Sequence, residues 1–510
     1  MSARRVSSVV DAAVAERLVE MLGRGVAGVW RARRPPDPRP VGILADLLAR
    51  AVDAQWRQEA AERMLVTPEP IPVSWSLSEL PVGGPVEAAV GSAAGAPAFP
   101  PLPGQSRISE EDLRVGGGRR ELFAVYAGIA SGRVVVIGAP GAGKTGSAVL
   151  LVLDALGHRE GVEDTARVRV PVPVLLTAYG WDPLTCSVRD WLVDQLVASY
   201  PRLFAHRGGR AEAAAVVAAG AVALVVDGLD EMDVALRPAA LLALSSAPFR
   251  VVVLTRGTEM VQAAGVAWLV GALTLQLREV TGPEGANYLH RARSGPPPSG
   301  WAQLLTHLRD NPDSVLTRGL STPLALTLIR DTYRPGDGVS DLLDSTRWST
   351  TDELERYLIA RVLPAAYTRR PGSPEPPYSQ AQARQVLGLL ARQMNQDHTR
   401  DLAWWQIPRW APTRPSILVS MLAGGFLGAI LGGLTLVLVG LAFALGKQAF
   451  GHGLRQGLWT VLTNDLLAGS ALGLGVGLPL GVGFGRGGRE PKRVRNWWAS
   501  RRLQPSPPGS

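Results

Sequence analysis

The stretch Val134-Val-Val-Ile-Gly-Ala-Pro-Gly-Ala-Gly-Lys-Thr145 decides the fold, because it joins an apolar run to a glycine-rich loop. The loop fits the pattern GxxxxGK[ST], and a helical stretch over residues 146–156 comes after it. Glycines in such a loop let backbone N–H groups cradle phosphate oxygens at the start of a helix. The order strand, loop, helix therefore predicts a nucleotide-phosphate site at Gly138, Ala139, Pro140, Gly141, Ala142, Gly143, Lys144 and Thr145.

Three further apolar runs rich in β-branched residues lie at residues 172–176, 222–226 and 251–254. Continuous runs of this kind are typical of strands that are buried on both faces of a parallel sheet. Helical stretches alternate with them, so residues 108–272 are predicted to form an α/β domain of the P-loop NTPase class, with helices flanking a parallel sheet.

An acidic stretch comes directly after the apolar run at residues 222–226. Asp227 ends the run and is expected to hold Mg²⁺ through water, while the Thr145 hydroxyl binds the same ion. Asp230 or Glu231 is expected to orient or activate the attacking water, and Lys144 to reach the β- and γ-phosphates. A solvated acidic turn after a buried strand is the alternative, and the phosphate loop upstream makes it the weaker one. The predicted ligands are ATP and Mg²⁺.

The motifs GAPGAGKT and VVDGLDE together resemble the NACHT group of signal-transducing (STAND-type) P-loop NTPases. In that group a tiny residue comes after the metal-binding aspartate and two acidic residues come shortly after, as Gly228, Asp230 and Glu231 do here. The resemblance covers residues 120–367. Residues 399–405 are similar to the stretch on the C-terminal side of NACHT in some actinobacterial membrane-linked members.

Two shorter stretches add to the resemblance. Residues 249–256 look like the strand whose tip carries a phosphate-sensing arginine, and residues 321–325 look like a helical-subdomain motif whose proline, Pro323, packs against the base. The sequence departs from the family at Gly257, where the arginine is expected. Arg256 is therefore either the sensor shifted by one position or a surface arginine at a strand end.

Outside the α/β domain the sequence predicts five further parts. These are an N-terminal helical region (1–66), a Pro/Gly/Ala-rich linker (67–107), helical subdomains (273–412), two transmembrane helices (413–488) and a basic tail (489–510).

The transmembrane hairpin is predicted from residues 416–446 and 466–485, which contain no charged residue. A helix needs about 20 apolar residues to cross a bilayer, so the first segment is long enough and the second only just. Glycines recur at every fourth position in both, a spacing that allows close helix packing. A glycine-rich soluble core or a disordered tail is the alternative.

The net charge of +9 lies at the two ends of the chain. Residues 486–510 hold seven basic residues and one acidic, and residues 1–40 hold eight and four, which leaves the middle near neutral. The basic tail favours a cytoplasmic C-terminus beside a membrane. The near-neutral middle argues against a nucleic-acid partner. One cysteine and no HExxH pattern exclude a disulfide framework and a HExxH zinc hydrolase.

The working hypothesis is a membrane-anchored NACHT-type switch in signalling or defence that binds ATP and hydrolyses it slowly. It would lie in the cell membrane with two spans, with the N-terminus, the NTPase domain and the tail cytoplasmic. ATP would drive assembly into a homo-oligomer, and the trigger or partner protein cannot be read from the sequence. A non-enzymatic nucleotide-binding membrane scaffold and, less favoured, a nucleic-acid-dependent ATPase are the alternatives.

Overall fold

The computed structural model describes most of the chain before residue 397. It separates two compact units, Met1–Ser373 with Ala499–Ser510 and Pro374–Trp498. The described residues are 39–67, 69–91, 99–293, 295–333, 337–344, 346–368, 376–396 and 407.

A six-stranded sheet forms the centre of the described part of the first unit. Its strands are β1 (Trp75–Leu77), β2 (Arg133–Ile137), β3 (Val172–Thr177), β4 (Val222–Asp227), β5 (Val251–Thr255) and β6 (Leu273–Leu277). The order across the sheet is β1-β6-β2-β5-β4-β3, with β1 antiparallel to β6 and every other pair parallel. The four predicted strands, β2 to β5, and the α/β fold are confirmed. Because β5 lies between β2 and β4, the segment after β5 leaves the sheet between the strand that carries the phosphate loop and the strand that carries the acidic stretch.

Helices and their apolar side chains cover this sheet and build one large hydrophobic cluster with it. The core strands β2, β4 and β5 are buried almost throughout, which is why their sequences read as continuous apolar runs. The helices of this part are α1 (Val41–Glu62), α2 (Val86–Val90), α3 (Glu110–Val115), α4 (Arg119–Gly128), α5 (Lys144–Gly161), α6 (Asp164–Arg167), α7 (Val188–Ser199), α8 (Pro201–Phe204), α9 (Gly209–Ala218), α10 (Arg237–Ser245) and α11 (Gly257–Ala264).

The described part of the range expected to be a linker contributes to the sheet. Strand β1 pairs with β6, and the Trp75 side chain is buried, with its Nε1 donating to the Gly118 carbonyl oxygen at 3.0 Å. Strand β6 likewise lies beyond residue 272, where the sequence favoured helices. Short strands among Pro, Gly and Ser carry little pattern, because their pairing depends on a distant partner.

A second hydrophobic cluster lies in the same unit and is helical, as the sequence predicts. It is built from α12 (Gly282–Arg291), α13 (Trp301–Asp310), α14 (Val315–Gly319), α15 (Pro323–Thr332), α16 (Ser340–Leu343) and α17 (Thr351–Tyr367). Helix α15 begins at a strong signal, because the Thr322 side chain accepts from the Ala325 N–H and Pro323 occupies the first turn.

The second unit is described only at α18 (Gln380–Gln396), its few preceding residues and Ile407. None of the described helices is long and apolar enough to cross a membrane. The part of the predicted N-terminal helical region up to residue 38, the motif at 399–405, the two spans at 413–488 and the basic tail lie outside the described residues.

Candidate functional site

The glycine-rich loop leads from β2 into α5, as the sequence predicts. Gly143 precedes α5 with φ +87°, a left-handed conformation that glycine adopts without strain. A side chain at Gly143 would also meet Pro323, since a Cβ there would lie 3.1 Å from Pro323 Cγ. The Lys144 ammonium folds back over the loop and donates to the carbonyl oxygens of Gly138 (2.8 Å) and Ala139 (3.1 Å). The lysine is thus held where a phosphate would compete for its protons.

Thr145 and Asp227 meet although they are 82 residues apart in the chain. The Thr145 hydroxyl donates to Asp227 Oδ2 at 2.6 Å, because Thr145 lies in the first turn of α5 and Asp227 ends β4. A hydroxyl beside a carboxylate offers two of the oxygen ligands that Mg²⁺ prefers, with water and phosphate oxygens completing its shell. These two residues therefore fit the predicted metal role.

The acidic stretch after β4 folds into a 3₁₀ turn over Leu229–Glu231. Gly228 enters it with φ +77°, and a Cβ there would lie 3.1 Å from Glu231 Oε2. The Asp230 side chain is only 5 % exposed and pairs with Arg256, whose Nε lies 2.8 Å from Asp230 Oδ2. Glu231 is exposed at the end of the turn. The two acidic residues thus occupy different environments.

Arg256 is the first residue after β5, so it comes between the loop and the acidic turn. Gly257 begins α11, and a Cβ there would lie 3.1 Å from Leu80 Cδ1 and 3.3 Å from Ile137 Cγ2. The packing therefore leaves little room for an arginine at position 257. Arg256 is 30 % exposed and engaged with Asp230, which differs from a free surface arginine.

Protein-family models and curated proteins were both compared with the chain, and none matches it.

The electrostatics of Lys144 tie these residues together. Burial lowers its pKa, Asp230 raises it, Arg256 lowers it and Asp227 raises it again, with a net pKa below the ordinary 10.5 of lysine. Carboxylates and guanidinium act on the same ammonium only when they lie near it. The tertiary fold therefore gathers Lys144, Asp227, Asp230 and Arg256 at the carboxyl edge of the sheet.

Arg237 belongs to the same edge and was not predicted from the sequence. It is buried at the start of α10, and it donates from Nη2 to the Asp230 carbonyl oxygen (2.8 Å) and from Nε to that of Met232 (3.1 Å). These bonds hold the main chain of the acidic turn. No residue pattern signals such a contact, because the acceptors are backbone atoms.

The helical cluster closes over the loop through α15. The Leu324 N–H donates to the Gly141 carbonyl oxygen at 3.2 Å, and Pro323 packs on Gly143. Pro323, which the resemblance places against a base, thus lies directly beside the phosphate loop. Its contact with a base stays a prediction.

A cavity of about 1070 Å³ opens beside the loop, at the upper end of the size of small-molecule sites. Its walls come from the loop and α5, the start of α4, residues 62–65 and 69–75, and one face of α15. The sequence pointed to the loop and, through the family resemblance, to Pro323 on α15. It did not point to the other walls, because they become neighbours of the loop only on folding.

Proposed function

We propose that this protein is a P-loop nucleotide switch of the NACHT type that binds ATP with Mg²⁺ and hydrolyses it slowly. The observation that carries the proposal is the contact between Thr145 and Asp227 beside the Lys144 loop, together with a cavity of nucleotide size that Lys144 and Thr145 line. A triphosphate suits this arrangement. The glycine loop and the Lys144 ammonium would bind the phosphates, and the pair Thr145 and Asp227 would hold the metal ion.

Each residue of the site has its own role in this proposal. Lys144 exchanges the carbonyl oxygens of Gly138 and Ala139 for phosphate oxygens, which also favour its charged form. Thr145 and Asp227 would hold Mg²⁺, which supplies charge neutralisation between phosphates. Glu231 is the exposed carboxylate of the turn and takes the proton of the attacking water. Arg256 turns towards the transferred phosphate.

The nucleotide site is tested with ATP binding to the full-length protein. Lys144→Ala is expected to weaken the affinity for ATP at least about a hundredfold, because a desolvated charge contact to phosphate is lost. Arg169→Ala, an exposed arginine away from the cavity, serves as the control and should bind ATP normally. Unchanged affinity in Lys144→Ala rules out this site.

Hydrolysis is tested by phosphate release. The double variant Asp230→Asn with Glu231→Gln should bind ATP and release no phosphate above background. If the native protein also releases none while binding ATP, the non-enzymatic scaffold is the better description.

The membrane part of the proposal rests on the uncharged segments and the basic tail. ATP-driven assembly would bring the predicted hairpins of several copies together, in signalling or defence. Fractionation of cells that express the full chain or a chain without residues 413–488 tests the anchor. A full-length protein that stays in the soluble fraction removes the membrane from the proposal.

A further inference from the structure

One face of α15 forms a wall of the cavity from the phosphate loop outwards. Pro323, Thr327, Arg330 and Asp331 all line the cavity, at the spacing of a single helix face. Helix rise places Asp331 about 12 Å along the axis from Pro323, or about two turns from the loop. A ligand that anchors its phosphates at Lys144 would direct its other end towards these residues.

The Arg330 side chain is buried, and its donors are engaged by other groups of the protein. Its side chain is 7 % exposed, and Nη1 donates to the Tyr288 hydroxyl (2.8 Å) and to the Met64 carbonyl oxygen (3.3 Å). Its Nε and Nη2 donate to the two carboxylate oxygens of Asp331 at 2.7 and 3.1 Å. This two-pronged contact fixes the plane of the Asp331 carboxylate.

Asp331 is the partner that stays open to the cavity, with 38 % of its side chain exposed. Each carboxylate oxygen has a lone pair beyond the one that Arg330 uses. An ionised carboxylate accepts hydrogen bonds and donates none, so it suits a ligand donor and repels a phosphate. In a nucleotide the hydrogen-bond donors beyond the phosphates are the ribose hydroxyls and the amino group of the base. Because Asp331 lies about two helix turns from the phosphate loop, it favours the amino group, which is farther from the phosphates than the ribose is.

We propose that Asp331 accepts a hydrogen bond from the exocyclic amino group of the nucleobase, and that Arg330 is the positioning residue that holds it there. The inference rests on the proposed nucleotide site and adds the chemistry by which that site selects its base. Adenine nucleotides are the substrate class tested, because ATP is the proposed ligand.

Equilibrium binding of ATP and of purine riboside triphosphate, which lacks the amino group, tests the contact in the full-length protein. The native chain should bind ATP at least about tenfold more tightly than the purine analogue, because a carboxylate left without its donor is costly. Asp331→Ala should lose most of that preference while its affinity for the analogue stays within about threefold. Equal affinities in the native chain, or an unchanged preference in the variant, overturn the proposal.

Two further variants guard against a folding defect. Asp331→Asn keeps the shape beside Arg330 but presents a donor as well as an acceptor, and it should reduce the preference for ATP several-fold. Arg330→Lys leaves Asp331 in place but removes the two-pronged contact, so the preference should fall while the analogue still binds. Asp310→Ala, an exposed acid at the end of α13 that does not line the cavity, should change neither affinity.

2′,3′-Dideoxy-ATP separates the base from the ribose. If Asp331→Ala abolishes discrimination against this analogue and keeps the preference for the amino group, the carboxylate reads the ribose and the proposal fails. A native chain that binds ATP and the purine analogue equally, with Lys144→Ala binding neither, leaves the proposed function intact. A native chain that binds no nucleotide overturns both.

Discussion

The two ends of the parallel strands hold arginines under opposite conditions. At the carboxyl edge Arg256 is 30 % exposed and pairs with the Asp230 carboxylate. At the amino edge Arg133, the first residue of β2, and Arg250, just before β5, are buried and donate to main-chain carbonyl oxygens. Arg256 can therefore leave the carboxylate and bind a phosphate that enters from solvent. Arg133 and Arg250 are closed off from solvent and from any ligand.

The arginines at the amino edge stabilise the fold and do not form a ligand-binding site. Arg133 donates to the carbonyl oxygens of Phe249 (2.6 Å) and Ala247, and Arg250 donates to those of Tyr126 (2.9 Å) and Pro100 (2.6 Å). Both guanidinium groups lie beside the Phe99 ring, about 5.4 and 5.5 Å from its centre. Burial, with the charge of Arg250, lowers the pKa of Arg133 to about 10. The two arginines tie the segment before α3 to the base of the sheet.

The largest expected effect is a loss of stability when an arginine at the amino edge is removed. Arg133→Ala should lower the free energy of unfolding by about 2–3 kcal/mol, because two buried carbonyl oxygens lose their donor. Denaturant unfolding measures the change, and ATP affinity of the folded variant should stay native. The exposed Arg169→Ala should change stability by less than about 0.5 kcal/mol. If Arg133→Ala lowers the free energy of unfolding by less than about 1 kcal/mol, the arginines at the amino edge do not stabilise the fold as stated.

At the carboxyl edge, Asp230→Asn should raise the affinity for ATP about tenfold. Removing the carboxylate frees Arg256 for phosphate and takes a negative charge away from the site. Titration calorimetry measures the change. Asp194→Asn, in an exposed pair with Arg210, is the matched control and should leave the affinity alone. Weaker binding in Asp230→Asn would show that the ion pair supports the site instead of competing with the ligand.

Arg237→Ala tests whether the main chain of the acidic turn must be held. We expect hydrolysis to slow about five- to tenfold with ATP affinity nearly unchanged, because Glu231 loses its position rather than its charge. Arg237→Lys keeps one donor and should recover part of the rate. Equal losses in both variants, or a loss of affinity without a loss of rate, would contradict a positioning role.

The smallest expected effect is a pH dependence at the carboxyl edge. Burial lowers the pKa of Lys144 below 10.5, and phosphate favours its charged form, so the bound complex holds this proton more tightly than the free protein. ATP affinity should therefore fall a few-fold as pH rises from about 8 to about 10. Binding measured across that range checks it, with inorganic phosphate as a second ligand. An affinity that stays flat would show that Lys144 is not the phosphate contact.

Sequence patterns predicted the strands that are buried on both faces and the loop that joins β2 to α5, because these depend on neighbouring residues. The same reasoning expected a linker where Trp75 starts a strand, since a three-residue strand has no periodicity of its own. It also left open whether Arg256 is the sensor arginine or a surface arginine. Only the packing of Gly257 against Leu80 and Ile137 shows that position 257 has little room for the expected arginine.

From residue order alone, the chain specifies a phosphate loop, an acidic stretch after a buried strand, two uncharged segments and a basic end. Local spacing is enough for these, because each motif lies within a few residues. Only the tertiary structure brings Thr145 to Asp227, Arg256 to Asp230, Arg237 to the turn and Asp331 to the cavity. These placements depend on strand order, on how the acidic turn folds back and on helix packing, none of which a short motif specifies.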